Sequence, residues 1–251
     1  NESYVLWQWL LGDSATTGST TSPAGSLAST SIVADAGHFS VMTYTGSGAN
    51  ATVGHGLGAA PTMVLIKNLE TAENWLAWHE GLTSAQYFLN LNTTGAEFDN
   101  GASGYFRGTA PNATVITMND SSYNTSSRDY IAYCFKSVAG VCKVGTYEGN
   151  NNANGTYVNL GFTPAFFMAK NIDATGSWFI IDNKRGFNSA SNEAYLQAES
   201  NTTETVGNVA DLLSDGVKWR TTGGGNASNT FIYIAMADIG GNGTLPPVYS
   251  K

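Results

Sequence analysis

Apolar residues come in short runs along this chain, alternating with polar positions or filling the run completely, and clusters of Gly, Asn, Ser and Thr separate them. That is the pattern of β-strands joined by tight turns, and no long stretch keeps a helical period. In the first half the runs at 39–45, 62–67, 75–79, 87–91, 114–118 and 130–136 are expected to be strands. In the second half the corresponding expectation falls on 141–147, 157–160, 165–170, 178–182, 194–198, 217–221 and 231–237. One helical turn is conceivable at 206–213, although β-branched residues and Gly crowd its start.

The two halves repeat each other. At a shift of 103 residues Thr43-Tyr44 falls on Thr146-Tyr147, Gly46 on Gly149, Leu57-Gly58 on Leu160-Gly161 and Pro61 on Pro164. The same shift aligns Lys67-Asn68 with Lys170-Asn171, Trp75 with Trp178, and Tyr130-Ile131-Ala132 with Tyr233-Ile234-Ala235. A period of this length is too long for a solenoid and close to one β-sandwich. The expected fold is therefore all-β: two tandem antiparallel β-sandwich repeats, jelly-roll-like, at residues 31–138 and 139–239, with a tail at 240–251. The short boundary near residues 138–141 implies that the repeats pack against each other or share strands. Trp75 and Trp178 are expected to fill the two cores, and the matched Gly and Pro to set turns.

Ahead of the first repeat, residues 1–11 carry one strand too many. Tyr4-Val5-Leu6-Trp7-Gln8-Trp9 reads like the strands that end the two repeats. Residues 12–30, almost wholly Gly, Ser, Thr and Ala with Pro23, read as a flexible linker. Fully extended, such a linker spans about 60 Å, several times the radius of a 100-residue domain. Tyr4, Val5, Leu6, Trp7 and Trp9 must be buried somewhere, because an unpaired apolar strand invites aggregation. Addition to the sheet of a neighbouring copy would bury them, and such a head-to-tail contact, repeated without ring closure, builds a filament. Folding back onto its own first repeat is the competing arrangement.

Composition narrows the function. Charged residues make up only 12% of the 251, against 42% hydrophobic, with 29 Gly. The net charge of -8 leaves too little positive surface for a phosphate backbone, so no nucleic-acid partner is expected. The longest apolar run, from Tyr4 to Leu11, is far short of the about 20 residues that span a bilayer, so no membrane span is expected. The sequence starts at Asn1 without a charged leader, and an export signal is expected to have been removed already.

Nine Asn-x-Ser/Thr sequons, at Asn50, Asn92, Asn112, Asn119, Asn124, Asn154, Asn201, Asn226 and Asn242, are glycosylation candidates. Cys134 and Cys142 flank a short turn where a hairpin could bring them into a disulfide, the alternative being two small buried thiols. His38, His55 and His79 are the only histidines, and none lies in a metal or nucleophile motif. No catalytic residue, metal site or cofactor is expected, and the chain reads as a non-enzyme. The Asn-rich loop at 150–154 lacks the clustered carboxylates of a calcium site. Trp78, Tyr123 and Trp219 are aromatics on which a sugar face could stack, the simpler reading being core.

The phrases Gly-Leu-Gly-Ala-Ala-Pro-Thr-Met-Val-Leu-Ile-Lys-Asn at 56–68 and Leu-Gly-Phe-Thr-Pro-Ala-Phe-Phe-Met-Ala-Lys-Asn at 160–171, each followed by a Trp, resemble a duplicated domain of unknown function found in predicted bacteriophage tail-fibre proteins. Residues 130–136 and 212–220 are similar to further segments of that family. Its acidic and Arg pair after the second Trp survives as Asp182 and Arg185, whereas the first half has His79 in place of the Asp. The resemblance implies a fibre setting and brings no catalytic residues. Together with the spare strand it leads to the expectation of a structural fibre subunit at the cell exterior or virion surface, a homopolymer of its own copies. The alternative is a tail-fibre adhesin that binds a cell-surface receptor or glycan.

Overall fold

The computed structural model of the chain describes residues 20–22, 24–120, 122–185 and 194–238, and they form an antiparallel all-β sandwich protein. The first half contributes β1 (Thr20–Ser22), β2 (Ser29–Val33), β3 (Phe39–Thr45), β4 (Ala51–Gly54), β5 (Met63–Asn68), β6 (Leu76–His79), β7 (Tyr87–Asn90), β8 (Phe98–Asp99), β9 (Val115–Met118) and β10 (Asp129–Phe135). The second half contributes β11 (Cys142–Glu148), β12 (Tyr157–Asn159), β13 (Pro164–Asn171), β14 (Trp178–Asp182), β15 (Ala194–Gln197), β16 (Thr205–Val206), β17 (Ala210–Leu213), β18 (Gly216–Trp219) and β19 (Thr230–Ala237). A single 3-10 turn, Ser122–Asn124, is the only helix among the described residues.

Two large sheets and two small ones result. The large sheets run β1-β2-β3-β10-β5-β6-β7-β8 and β11-β19-β13-β14-β15-β16, and the small ones β4-β9 and β12-β18-β17. Positions 103 apart take equivalent places in the two large sheets: β10 sits between β3 and β5 as β19 sits between β11 and β13.

Register fixes which side chains share a face. Tyr130, Ala132 and Cys134 of β10 stand opposite Tyr44, Met42 and Ser40 of β3 and opposite Asn68, Ile66 and Val64 of β5. That face packs with Val53 of β4, Ile116 and Met118 of β9 and Phe106 from the connecting loop. On the other face, Phe135, Met63 and Leu65 meet Phe166, Met168, Ile180, Ile234 and Met236 of the second large sheet around an apolar cavity of about 170 Å³, with Phe39 stacked on Phe135. The far face of the second sheet, with Phe167, Ala169, Tyr147, Phe231 and Tyr233, packs with Val158, Val217 and Trp219 of its own small sheet. The molecule is thus four layers deep, with the two large sheets back to back.

This stacking explains the apolar patterns. Strands β5, β6, β13 and β14 are buried on both faces, which is why Met63–Asn68, Pro164–Asn171 and Trp178–Asp182 are almost continuously apolar. At the outer position β11 buries Cys142 and Val144 with half-buried Lys143 and Gly145 between them, and beyond the exposed Thr146 it buries Tyr147 on the opposite face. The central contact carries polar ties as well. Trp178 Nε1 donates to the Asn90 carbonyl at 3.1 Å, and Glu97 N–H to the Ile172 carbonyl at 3.0 Å. Lys170, fully buried, donates through Nζ to the Thr94 carbonyl at 3.3 Å, and burial lowers its pKa to about 8. The two halves pack against each other, as the short boundary implies.

Several expectations are corrected. The tract 12–30 is not linker throughout: β1 pairs with β2, and β2 with β3, so the first half begins before residue 31. Ser29 and Ser31 are small enough to be buried there, and the Ser29 hydroxyl donates to the Gly54 carbonyl at 2.6 Å. Residues 206–213 hold no helical turn. Ala210–Leu213 instead pairs along β18, because a partner edge satisfies its backbone where weak helix propensity does not. Trp178 is a core residue, but Trp75 lies half-buried at the rim, stacked on Tyr133 with ring centroids 6.1 Å apart. The N-terminal strand Tyr4, Val5, Leu6, Trp7 and Trp9 and the tail at 240–251 lie outside the described residues.

Candidate functional site

The loops at one end of each half are built on the same device. Asn124 is fully buried, and its Nδ2 donates to the carbonyls of Ala49 and Asn119, both at 2.7 Å, while Oδ1 accepts from Ser47 N–H at 2.9 Å. Asn226 is equally buried, with Nδ2 bonded to Asn150 Oδ1, the Asn152 carbonyl and the Thr221 carbonyl, each at 2.9 Å, and Oδ1 accepting from Asn150 and Thr156 N–H. Each amide ties three chain segments into one rigid end. Tyrosines do the same nearby: Tyr44 Oη donates to the Tyr123 carbonyl and Tyr147 Oη to the Gly225 carbonyl, both at 2.6 Å. Burial pushes the pKa of both phenols up, and they stay neutral donors. The matched Gly46 and Gly149 serve close approach, since a Cβ on either would run into the carbonyl oxygen of Thr125 or Ala227. The matched Gly58 and Gly161 do set turns, at φ of +70° and +78°.

At this end of the first half lies an open cavity of about 300 Å³ lined by Ala72, Glu73, Asn74, Tyr105, Ser122 and Tyr123. Tyr123 donates its hydroxyl to the Asn74 carbonyl at 3.1 Å, and Tyr105 meets its ring edge-on at 5.0 Å. Lys67 Nζ donates to the carbonyls of Thr71 and Glu73, at 3.0 and 2.9 Å, and so holds the loop that carries Glu73. Glu73 Oε2 is shut away from solvent and has no hydrogen-bond partner among the described residues. Ser122 is held at φ 38°, and its carbonyl accepts from Tyr130 Oη at 2.7 Å.

The chemistry-bearing residues singled out in the sequence are distributed otherwise than expected. The sequons at Asn50, Asn92, Asn112, Asn154 and Asn201 are exposed, and Asn242 lies outside the described residues. Asn119, Asn124 and Asn226 are corrections: they are buried, and the amide nitrogen to which a glycan would be attached is already hydrogen-bonded inside the fold. Cys134 and Cys142 are free thiols. Cys134 belongs to the face of the first large sheet turned toward β4 and β9, while Cys142, in register with Met236, sits on the second sheet and is bridged to Val138. Burial pushes both thiols up to about 12.

Trp78, Tyr123 and Trp219 are all buried, so none offers an open stacking face, although Tyr123 edges the cavity. In the loop at 150–154 the side-chain oxygens of Asn150, Asn151 and Asn152 accept backbone N–H groups of Asn152, Gly223 and Asn154 and act as turn formers. Among the described residues no group of three or more His, Cys, Asp or Glu could hold a metal ion, and no helix is long and apolar enough to cross a membrane.

The turns after β6 and β14 differ in chemistry. Asp182 Oδ1 accepts from Lys184 and Arg185 N–H, and its Oδ2 pairs with Arg185 Nε at 2.6 Å. In the first half His79 stands at that place, its Nδ1 accepting from Gly81 N–H at 2.8 Å and its Nε2 lying 3.4 Å from the Tyr233 carbonyl. Burial pulls the His79 pKa down to about 4.

A family model described as Domain of unknown function (DUF7483) matches residues 1–239, the whole of both halves and the segment ahead of them. The chain belongs to the DUF7483 family. No curated protein and no solved structure matches this DUF7483 chain. Asn124 and Asn226 were missed as structural residues in the sequence because the sequon pattern hid them. Their spacing of 102 residues, one off the repeat, is the signal that pairs them.

Proposed function

We propose that this DUF7483 protein is a non-enzymatic structural subunit of a fibre outside the cell or on a virion, arisen by duplication of one sandwich and joined head to tail through its N-terminal strand. The observation that carries this reading is the apolar strand Tyr4-Val5-Leu6-Trp7-Gln8-Trp9, set ahead of a body that already has its own complement of strands. The back-to-back sheets support it by giving a stiff body. So does the contrast between sheet edges. Beyond β3 the first large sheet is extended by β2 and β1, whereas no described strand pairs with the outer edge of the equivalent β11. The first part of that edge is closed by Val138, which exchanges hydrogen bonds with Cys142, and by Ser137, whose hydroxyl bonds both N–H and C=O of Val144. The remainder, centred on Thr146 and ending where Thr156 Oγ1 donates to the Glu148 carbonyl at 2.6 Å, is the acceptor edge to which a neighbour's strand would add.

Removing residues 1–11, which spares β1 and β2, tests the reading. The full chain is expected to form filaments by negative-stain microscopy and the shortened chain only discrete particles, with a synthetic peptide of residues 1–11 blocking growth of the full chain. Filaments of unchanged form from the shortened chain would sink the proposal. Discrete particles from the full chain, with saturable binding to cells, would favour a tail-fibre adhesin instead.

A further inference from the structure

We infer that the cavity between Glu73 and Tyr105 is a binding site for a single uncharged sugar ring, a role separate from assembly and independent of the fibre reading. The case rests first on comparison within the molecule. Both halves present equivalent loops at this end, braced by the same buried asparagine. Only the first half furnishes them with side chains that could grip a ligand. Glu73, Asn74, Ser122 and Tyr123 correspond to Gly176, Ser177, Gly224 and Gly225 of the second half. There the space is closed, since a Cβ on Gly225 would fall within the Trp219 ring. A scaffold that serves stability alone has no need of an acid, an amide and two phenol rings at one of its two like ends.

The groups are held in place before any ligand arrives. Lys67 fixes the backbone on either side of Glu73, Tyr123 is tied to Asn74, and Asn74 Oδ1 accepts from Asn92 Nδ2 at 3.0 Å, which turns the Asn74 amide N–H groups outward as donors. Pre-organised polar groups lose little freedom on binding. Among the described residues no Lys or Arg side chain is paired with the Glu73 carboxylate, Arg128 being engaged with Glu70 at 3.2 Å. It can therefore accept from a ligand hydroxyl, and Asn74 can donate to another. The half-buried Tyr105, seated edge-on against Tyr123, supplies flat apolar surface beside these groups, which is what the C–H face of a pyranose requires. At about 300 Å³ the cavity is at the small end of ligand sites, with room for one ring and not for an extended chain.

The test is saturation-transfer NMR of the full chain with methyl glycosides of glucose, galactose, mannose and N-acetylglucosamine. At least one is expected to bind saturably, with a Kd of about 1 mM. Glu73→Gln, which keeps shape and removes charge, should weaken it about tenfold, and Tyr105→Ala at least as much, with unchanged thermal unfolding for Glu73→Gln. Ser177→Ala, in the second half, should leave binding as it is. Absence of saturable binding by all four glycosides, equal binding by Glu73→Gln, or a preference for tetramethylammonium over every sugar would each overturn the inference.

Discussion

The two halves of this protein share a scaffold and differ in how they handle charge. The end of β14 closes its turn with a carboxylate and an arginine, Asp182 and Arg185, whereas the end of β6 does so with the neutral imidazole of His79. Each accepts the backbone N–H two residues on, Lys184 or Gly81, so either residue can close the turn; the next N–H goes to the Asp182 side chain in one half and to the His79 carbonyl in the other. What differs is the partner. The carboxylate is paired with an arginine, while the imidazole lies against the Tyr233 carbonyl of the second large sheet, where burial lowers its pKa and favours the neutral form. Equivalent position in a repeat therefore keeps the first hydrogen bond of the turn and leaves ionisation free to diverge.

The buried asparagines give the largest expected effect and test where the halves remain alike. Asn124→Ala and Asn226→Ala each strand several buried carbonyls and N–H groups, and each should cost about 3–5 kcal/mol in chemical denaturation. Because the central core draws residues from both large sheets, either variant should unfold the chain in one transition. Two separate transitions, or a loss confined to one of the variants, would break the equivalence drawn between the two ends.

His79 sharpens the contrast between the halves. Its folded pKa of about 4 lies below the unfolded value of 6.5, so the stability it contributes is fully present above pH 6.5 and is lost as pH falls toward 4. The expected loss over that window is about 3 kcal/mol. In His79→Asn, a neutral side chain that can still accept from Gly81 N–H, this part of the acid sensitivity should vanish from denaturation curves taken at pH 7, 5.5 and 4. An unchanged pH profile would mean that His79 stays neutral for no energetic reason.

The smallest effect concerns the thiols. With Cys134 and Cys142 on different sheets and both ionising only near pH 12, a reductant should shift Tm by less than about 1 °C, and alkylation at pH 8 should proceed only after unfolding. A Tm that falls in reductant would bring the disulfide back.

Much of the framework was readable in the runs of apolar residues. The strands at 39–45, 178–182 and 231–237 lie where period and β-branched content place them, and the 103-residue shift anticipates the matching order of the two large sheets. Short strands such as Ala51–Gly54 and Ala210–Leu213 escaped, because four residues are too few to show a period, Ala, Gly, Asp and Leu dilute what strand preference there is, and a neighbour's edge decides them. The cavity at Glu73 and Tyr105 escaped for a related reason: its lining comes from three loops far apart in sequence, and no spacing rule joins them.

Alternation, a local property of the chain, determined that this protein is β, and the 103-residue shift foreshadowed the matching strand order of its two large sheets. Which face of each sheet met which partner, whether an asparagine became a glycan acceptor or an internal clamp, and whether two cysteines eight residues apart could join were decided by packing. A strand's period of two assigns side chains to two faces, but only the other layers determine which face is buried, and here the back-to-back stacking buried both.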